Sequence, residues 1–223
     1  MTEKNNIIIK DLSVMRGLRE VIKSFDLSVE AGQAVVIRGA NGSGKTTLLR
    51  AMAGLMPIAS GSLSIDGISY DDDRAAIHQD MIYIGHRDGF SGYLTAGENL
   101  KLWADTKGYQ SAEINKKISD ALKALSMGGF ADTPLYMMSE GQRKRCGLAR
   151  LVLSQSFETG ARIWLLDEPL TALDHDTAQA FAAVINQHTE AGGIAVLSTH
   201  QDIKLKRVTI ISLDESKSKG GLS

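Results

Sequence analysis

Eight consecutive residues, Gly39-Ala40-Asn41-Gly42-Ser43-Gly44-Lys45-Thr46, fit the pattern G-x-x-x-x-G-K-[ST] and are followed by Thr47 and Leu48. Glycines in such a stretch let the backbone turn inward, so that successive N–H groups point at one phosphate chain. Lys45 adds a full charge at the β- and γ-phosphates, and a helix starting near it adds its positive dipole end. The Thr46 hydroxyl is a candidate Mg²⁺ ligand. The candidate nucleotide contacts are therefore Gly39, Asn41, Gly42, Ser43, Gly44, Lys45, Thr46 and Thr47. A glycine turn that matches by accident would lack the setting seen here, a β-branched run (Ala34 to Ile37) before it and apolar residues at helical spacing (Leu48, Leu49, Met52, Leu55) after it.

Three further stretches carry chemistry. Arg162-Ile163-Trp164-Leu165-Leu166-Asp167-Glu168-Pro169 reads as a buried strand ending in two carboxylates. Asp167 is the second candidate Mg²⁺ ligand, and Glu168 is placed to take a proton from a water that attacks the γ-phosphate. His200 follows the apolar run Ile194 to Ser198; at the C-terminal edge of a parallel strand it faces the ligand crevice. Lys45, Glu168 and His200 are the catalytic candidates. In Met138-Ser139-Glu140-Gly141-Gln142, Ser139 can cap a helix while Gln142 reaches back, a capping box. The same residues can form a second anion site from Ser139, the Gly141 backbone, Gln142 and the helix dipole.

The elements that must position these residues alternate. Strands are expected at Ile7 to Ile9 with Leu12 to Val14, at Phe25 to Val29, at Ala34 to Ile37, at Ser62 to Ile65 and at Met81 to Ile84. From about Ser91 to Leu153 the pattern turns helical. Thr95-Ala96-Gly97-Glu98 is a capping box opening Asn99 to Thr106, Ile114, Ile118, Leu122 and Leu125 recur at core spacing, and a third helix starts at Ser139. Strand returns at Ile163 to Leu166, helix at about Asp174 to Glu190, and strands at Ile194 to Ser198 and Val208 to Ser212. This is an α/β core interrupted by helices: one domain over 1–223, its core at 1–88 and 155–213, a helical subdomain at 89–154 and a frayed tail at 214–223.

Composition narrows the class. A chain of 223 residues with 43% hydrophobic and 23% charged residues has the make-up of a soluble globular protein with a sizeable core. A net charge of −1 gives no electrostatic case for nucleic acid, and Arg143-Lys144-Arg145 reads as a solvated helix face. The single cysteine, Cys146, excludes an intrachain disulfide. Met1 to Asn6 has no signal-peptide core, and no apolar run approaches the roughly 20 residues that span a bilayer.

Together and in this order, these motifs resemble those of ABC-type ATPases over essentially the whole chain. Gly39–Thr46 resembles Walker A, Ser139–Gln142 the signature, Ile163–Asp167 with Glu168 Walker B, Ala172-Leu173-Asp174 the D-loop, and His200 the switch histidine. The resemblance implies a P-loop NTPase core with a parallel sheet, N-terminal antiparallel strands and a helical signature subdomain. It implies ATP and Mg²⁺ as cofactors, and a head-to-tail homodimer in which each ATP lies between one P-loop and the other subunit's signature. Closure on ATP would drive integral membrane subunits, with the chain at the cytoplasmic face of the inner membrane. Finer features resemble the ATP-binding subunits of cytochrome c maturation haem exporters: Ile84-Gly85-His86, Leu94-Thr95-Ala96 with Glu98-Asn99-Leu100 and Trp103, Gly147-Leu148-Ala149-Arg150-Leu151 and Thr199-His200-Gln201-Asp202. An ABC exporter of lipid or drug is the alternative. A soluble ABC protein acting on ribosomes or DNA would need tandem cassettes or a basic surface, and a degenerate scaffold would not need Glu168 and His200.

Two positions depart from the general ABC pattern. His86 stands where most members have a glutamine that touches Mg²⁺ and water and links to the membrane subunit; histidine is shorter and titrates near neutrality. A lone histidine does not make a haem site, and no direct haem binding is expected. Met15-Arg16-Gly17 stands where an adenine-stacking aromatic is usual, and Arg16 is expected to stack its guanidinium plane instead.

Overall fold

The computed structural model describes residues 6–86 and 89–213. The expected tail at 214–223 lies outside them, as does the expected boundary at 88. Five parallel strands form the central sheet in the order β6-β7-β8-β3-β9: β3 (Ala34–Arg38), β6 (Met81–Ile84), β7 (Ile163–Asp167), β8 (Ile194–Ser198) and β9 (Val208–Ser212). Their side chains divide with the period of two that a pleated strand imposes. Val36, Ile82, Trp164, Leu166 and Leu197 enter one core, packed against the helices. Val35, Ile37, Ile163, Leu165 and Val196 enter the other. A sheet buried on both faces explains why these strands read as unbroken apolar runs.

The second core lies against an antiparallel sheet of order β2-β1-β4-β5, made of β1 (Asn6–Arg16), β2 (Arg19–Glu30), β4 (Ser60–Ile65) and β5 (Ile68–Ser69). Helix α1 (Lys45–Met52) is also in this core, through Leu48, Leu49 and Met52. Arg162 ties the two sheets by pairing with Asp66 at 3.0 Å and with Asp80. A short helix, α2 (Arg74–Gln79), was not foreseen.

On the other side lie α3 (Ala96–Thr106), α4 (Ile114–Ala124), a 3-10 turn (Leu135–Met137), α5 (Glu140–Gln155) and α6 (His175–Glu190). Helix α3 starts three residues before the expected Asn99, because Thr95 is its N-cap and the Thr95–Glu98 capping box closes there. Buried Asn99 holds the preceding loop, donating to the carbonyls of Ser91, Leu94 and Thr95 and accepting from the Ser91 N–H. Lys107, just past α3, donates to the carbonyls of His78 and Met81 and fastens the helical layer to the start of β6.

Candidate functional site

Strands β3, β7 and β8 run in parallel and end at one edge, with Ile37 and Asp167 both in register with Ser198. The loop after each strand therefore opens on the same crevice. The loop after β3 is the glycine stretch. Gly44 is its last residue, at φ 114, and a Cβ there would lie 2.7 Å from Ile22 Cδ1 and 3.0 Å from Val21 Cγ1. Only glycine lets β2 pack this closely over the loop. Lys45 then opens α1 and is 7% exposed.

All three protons of the Lys45 ammonium have acceptors: Gly39 O at 2.7 Å, Ala40 O at 3.2 Å and His200 Nε2 at 2.9 Å. An ammonium only donates, so His200 Nε2 accepts and its ring proton sits on Nδ1. Glu168 Oε1 lies 3.5 Å from the same Nε2. The Thr46 hydroxyl donates to Asp167 Oδ1 at 3.1 Å, and the Ser198 hydroxyl donates to that oxygen at 2.8 Å. Ser198 also accepts from the Glu168 N–H, through Oγ at 3.0 Å and the carbonyl at 3.2 Å. Glu168 sits at φ 49, a conformation that a non-glycine residue adopts only when its surroundings fix it. Ser198 thus holds the Asp167 carboxylate and the Glu168 backbone. The sequence names it only as the last residue of a strand; its role comes from being in register with Asp167.

Of these groups Lys45, Thr46 and Glu168 line a cleft of about 450 Å³, together with Asn41, Gly42, Gly44 and Thr47 and with Arg16, Arg19 and Val21 from the β1–β2 hairpin. Ser43 is buried behind it, its hydroxyl without a partner among the described residues. The buried Asp167 carboxylate and the Thr46 hydroxyl form a hard-oxygen pair that suits Mg²⁺. No group of three His, Cys, Asp or Glu side chains among the described residues could hold a metal alone. An ion here would complete its shell with phosphate oxygens and water, as Mg²⁺ ordinarily does.

Ser139, Gly141, Gln142 and His86 are not brought to this cleft. Ser139 caps α5: its hydroxyl accepts from the Gln142 N–H at 3.2 Å, and Gln142 Oε1 accepts from the Ser139 N–H at 2.9 Å. A Cβ on Gly141 would meet the Ala172 carbonyl at 2.6 Å, so the start of α5 lies directly on the loop after Glu168. Ala172 itself is at φ 64. His86 lines a separate cleft of about 390 Å³ with Phe90, Glu140, Arg143, Lys144 and Thr171. The expected solvated face at Arg143-Lys144-Arg145 is half-buried instead, because the run turns toward the 3-10 turn and this cleft; Arg143 Nε donates to the Leu135 carbonyl at 2.8 Å. Cys146 is buried in the helical core.

Residues 22–171 match the model of the ABC transporter family. The chain is 39% identical over 209 residues to the cytochrome c biogenesis ATP-binding export protein CcmA of Paracoccus denitrificans, covering 94% of this chain and 89% of that one. To the protein of the same name from Vibrio cholerae it is 36% identical over 207 residues, covering 91% and 97%. Among solved structures it resembles an ATP-binding subunit of an ABC transporter, with a TM-score of 0.77 and 25% identity over 87% of this chain and 79% of the other. It also resembles a dimeric ATP-binding cassette in a post-hydrolysis state bound to ADP and Pi, with a TM-score of 0.75 and 27% identity over 87% and 88%. No helix among the described residues is long and apolar enough to cross a membrane. The glycine loop, the paired carboxylates, the capped α5 and these likenesses agree: the chain belongs to the ABC transporter family, as an ATP-binding subunit similar to CcmA.

Proposed function

We propose that this chain powers a haem-exporting complex for c-type cytochrome biogenesis, working as a head-to-tail homodimer under integral membrane subunits at the cytoplasmic face of the inner membrane. The observation that supports the hydrolytic part is that Lys45, Thr46 and Glu168 line one cleft while His200 and Asp167 contact them. The haem assignment rests on the likeness to CcmA proteins, named for cytochrome c biogenesis and export.

The chemistry follows from the groups in the cleft. Asn41, Gly42, Ser43, Gly44 and Thr47 cradle the phosphates, and Lys45 gives up its contacts with its own loop for the β- and γ-oxygens. Thr46 and Asp167 would hold Mg²⁺, which supplies neutralisation of the phosphate charge. Glu168 takes the proton of a water whose oxygen bonds to the γ-phosphorus as the bond to the bridging β–γ oxygen breaks, leaving ADP and inorganic phosphate. His200, released from Lys45, hydrogen-bonds the γ-phosphate. Ser139, Gly141 and Gln142 serve the nucleotide of the other subunit, carried by residues 89–154, and His86 links the cleft beside α5 to the membrane subunits.

Co-purification from membranes tests the whole reading. Haem-handling integral subunits and bound haem are expected with the tagged chain. Recovery of subunits belonging to a lipid or drug exporter would replace the haem assignment and leave the ATPase chemistry standing.

A further inference from the structure

Strand β8 reads Ile194-Ala195-Val196-Leu197-Ser198, and its first four side chains are apolar and shared between the two cores. Ser198 is as buried as they are, with 0% of its surface exposed. A hydroxyl in that position is costly unless it finds partners, and it has one proton to give and lone pairs to receive with. Both partners come from the stretch that ends β7. Ser198 Oγ accepts from the Glu168 N–H at 3.0 Å and donates to Asp167 Oδ1 at 2.8 Å. A backbone N–H only donates, so the hydroxyl proton is left for the carboxylate. One buried hydroxyl therefore links the two acidic residues in a short chain whose bonds strengthen each other.

The two bonds bear on different parts of the chemistry. Asp167 Oδ1 also takes the Thr46 hydroxyl at 3.1 Å, so both side-chain donors fall on one carboxylate oxygen. Among the described residues no hydrogen bond reaches the other oxygen, Oδ2, which is left open to an ion or to the water around it. At Glu168 the hydroxyl and the carbonyl of Ser198 together hold the N–H of a residue at φ 49. Such a backbone persists only while its surroundings fix it.

We propose that Ser198 is a positioning residue for hydrolysis: its hydroxyl turns the Asp167 carboxylate so that Oδ2 is left for the metal, and it fixes the Glu168 backbone so that base and metal carboxylate keep one spacing. The inference rests on the ATPase reading and adds to it a residue that acts only through Asp167 and Glu168. A misplacement of about 1 Å at reacting groups costs about a hundredfold in rate, and the partners behind a metal ligand govern its affinity for the ion. A hydroxyl that merely satisfied the end of a strand would affect stability and leave the metal requirement alone. Gln201 supplies the contrast. Its Nε2 donates to the Leu170 carbonyl at 3.4 Å, fastening the same stretch two residues further on without touching either carboxylate.

Two measurements on the full chain test this: kcat at saturating ATP and Mg²⁺, and the affinity for ATP that added Mg²⁺ contributes. The second is read by calorimetry with and without the ion, in a Glu168→Gln background that prevents turnover. Ser198→Ala is expected to lower kcat by about tenfold or more and to shrink the Mg²⁺-dependent gain in affinity by about tenfold, while ATP alone binds as to the parent. Ser198→Thr, which keeps the hydroxyl, is expected to recover most of both. Gln201→Ala is expected to keep the parent's Mg²⁺-dependent gain. A parent-like value of either quantity in Ser198→Ala would overturn the inference. So would an equal loss of the gain in Gln201→Ala, which would make the effect one of loop order, or a folded Ser198→Thr as impaired as Ser198→Ala. A parent chain that neither hydrolyses ATP nor gains affinity from Mg²⁺ would remove the ATPase reading itself, and this inference with it.

Discussion

The glycine loop and the start of α5 solve opposite problems. At the glycine loop, Lys45, Thr46, Asp167, Glu168, Ser198 and His200 are already linked by contacts, so the proposed hydrolytic groups meet within one chain. At Ser139–Gln142 nothing is waiting to be completed: the capping box satisfies Ser139 and Gln142, and Gly141 lies against Ala172. The first region is a site. The second is a capped helix start packed on the loop after Glu168, the platform proposed to serve the nucleotide of the other subunit. The stretch Glu168–Ala172, with a left-handed residue at each end, joins the first region to the platform.

The contrast is tested first at Glu168. Glu168→Gln is expected to lower turnover by about a hundredfold or more, with ATP binding retained and a closed dimer trapped, read by a phosphate-release assay and size-exclusion chromatography with ATP. Turnover like the parent would remove Glu168 as the base.

The fold has its own point of weakness, far from both regions. His188 stacks on Trp164 with ring centroids 3.6 Å apart, and its Nε2–H donates to the Arg162 and Ile194 carbonyls at the opposite end of the sheet. Burial pushes its pKa down to about 4, from an ordinary 6.5. The unfolded chain therefore takes the proton first. Stability is complete above about pH 6.5 and falls as pH drops toward 4, by up to about 3 kcal/mol. Urea midpoints across that range measure it, and a flat profile would contradict the buried neutral ring.

The platform is tested by separating its two roles at Ser139. Aspartate caps a helix about as well as serine but places a negative charge where the other subunit's phosphate would bind. Ser139→Asp is expected to shift the melting temperature by no more than about 3 °C while lowering turnover by about tenfold or more. If turnover holds, capping is all that Ser139 does. The smallest effect is expected at His86, where His86→Ala should reduce turnover stimulated by the membrane subunits by several-fold and leave basal turnover nearly unchanged; equal losses would argue against a coupling role.

The legible parts of this chain were those fixed by neighbours in sequence. Both capping boxes could be read because each is closed by a side chain three residues from its cap. The parallel strands could be read as apolar runs because both faces of their sheet are buried. Helix α2 could not, since six residues after Asp71-Asp72-Asp73 hold too little pattern to mark a face. Long-range contacts were also silent. Ser198 behind the carboxylates, Gly141 on Ala172, Arg19 beside Arg16 and the separate cleft of His86 all depend on which strands and loops meet.

The central claim is that the platform of one chain completes the site of another. Mixing two inactive variants tests it most directly: Lys45→Ala, which lacks a working phosphate loop, and Gly141→Asp, whose new side chain would collide with Ala172 and bring a charge to the platform. A mixed dimer pairs the intact loop of the second chain with the intact platform of the first. Turnover that neither variant shows alone is expected on mixing. A mixture no more active than its separate components, with mixed dimers shown to form, would contradict the account.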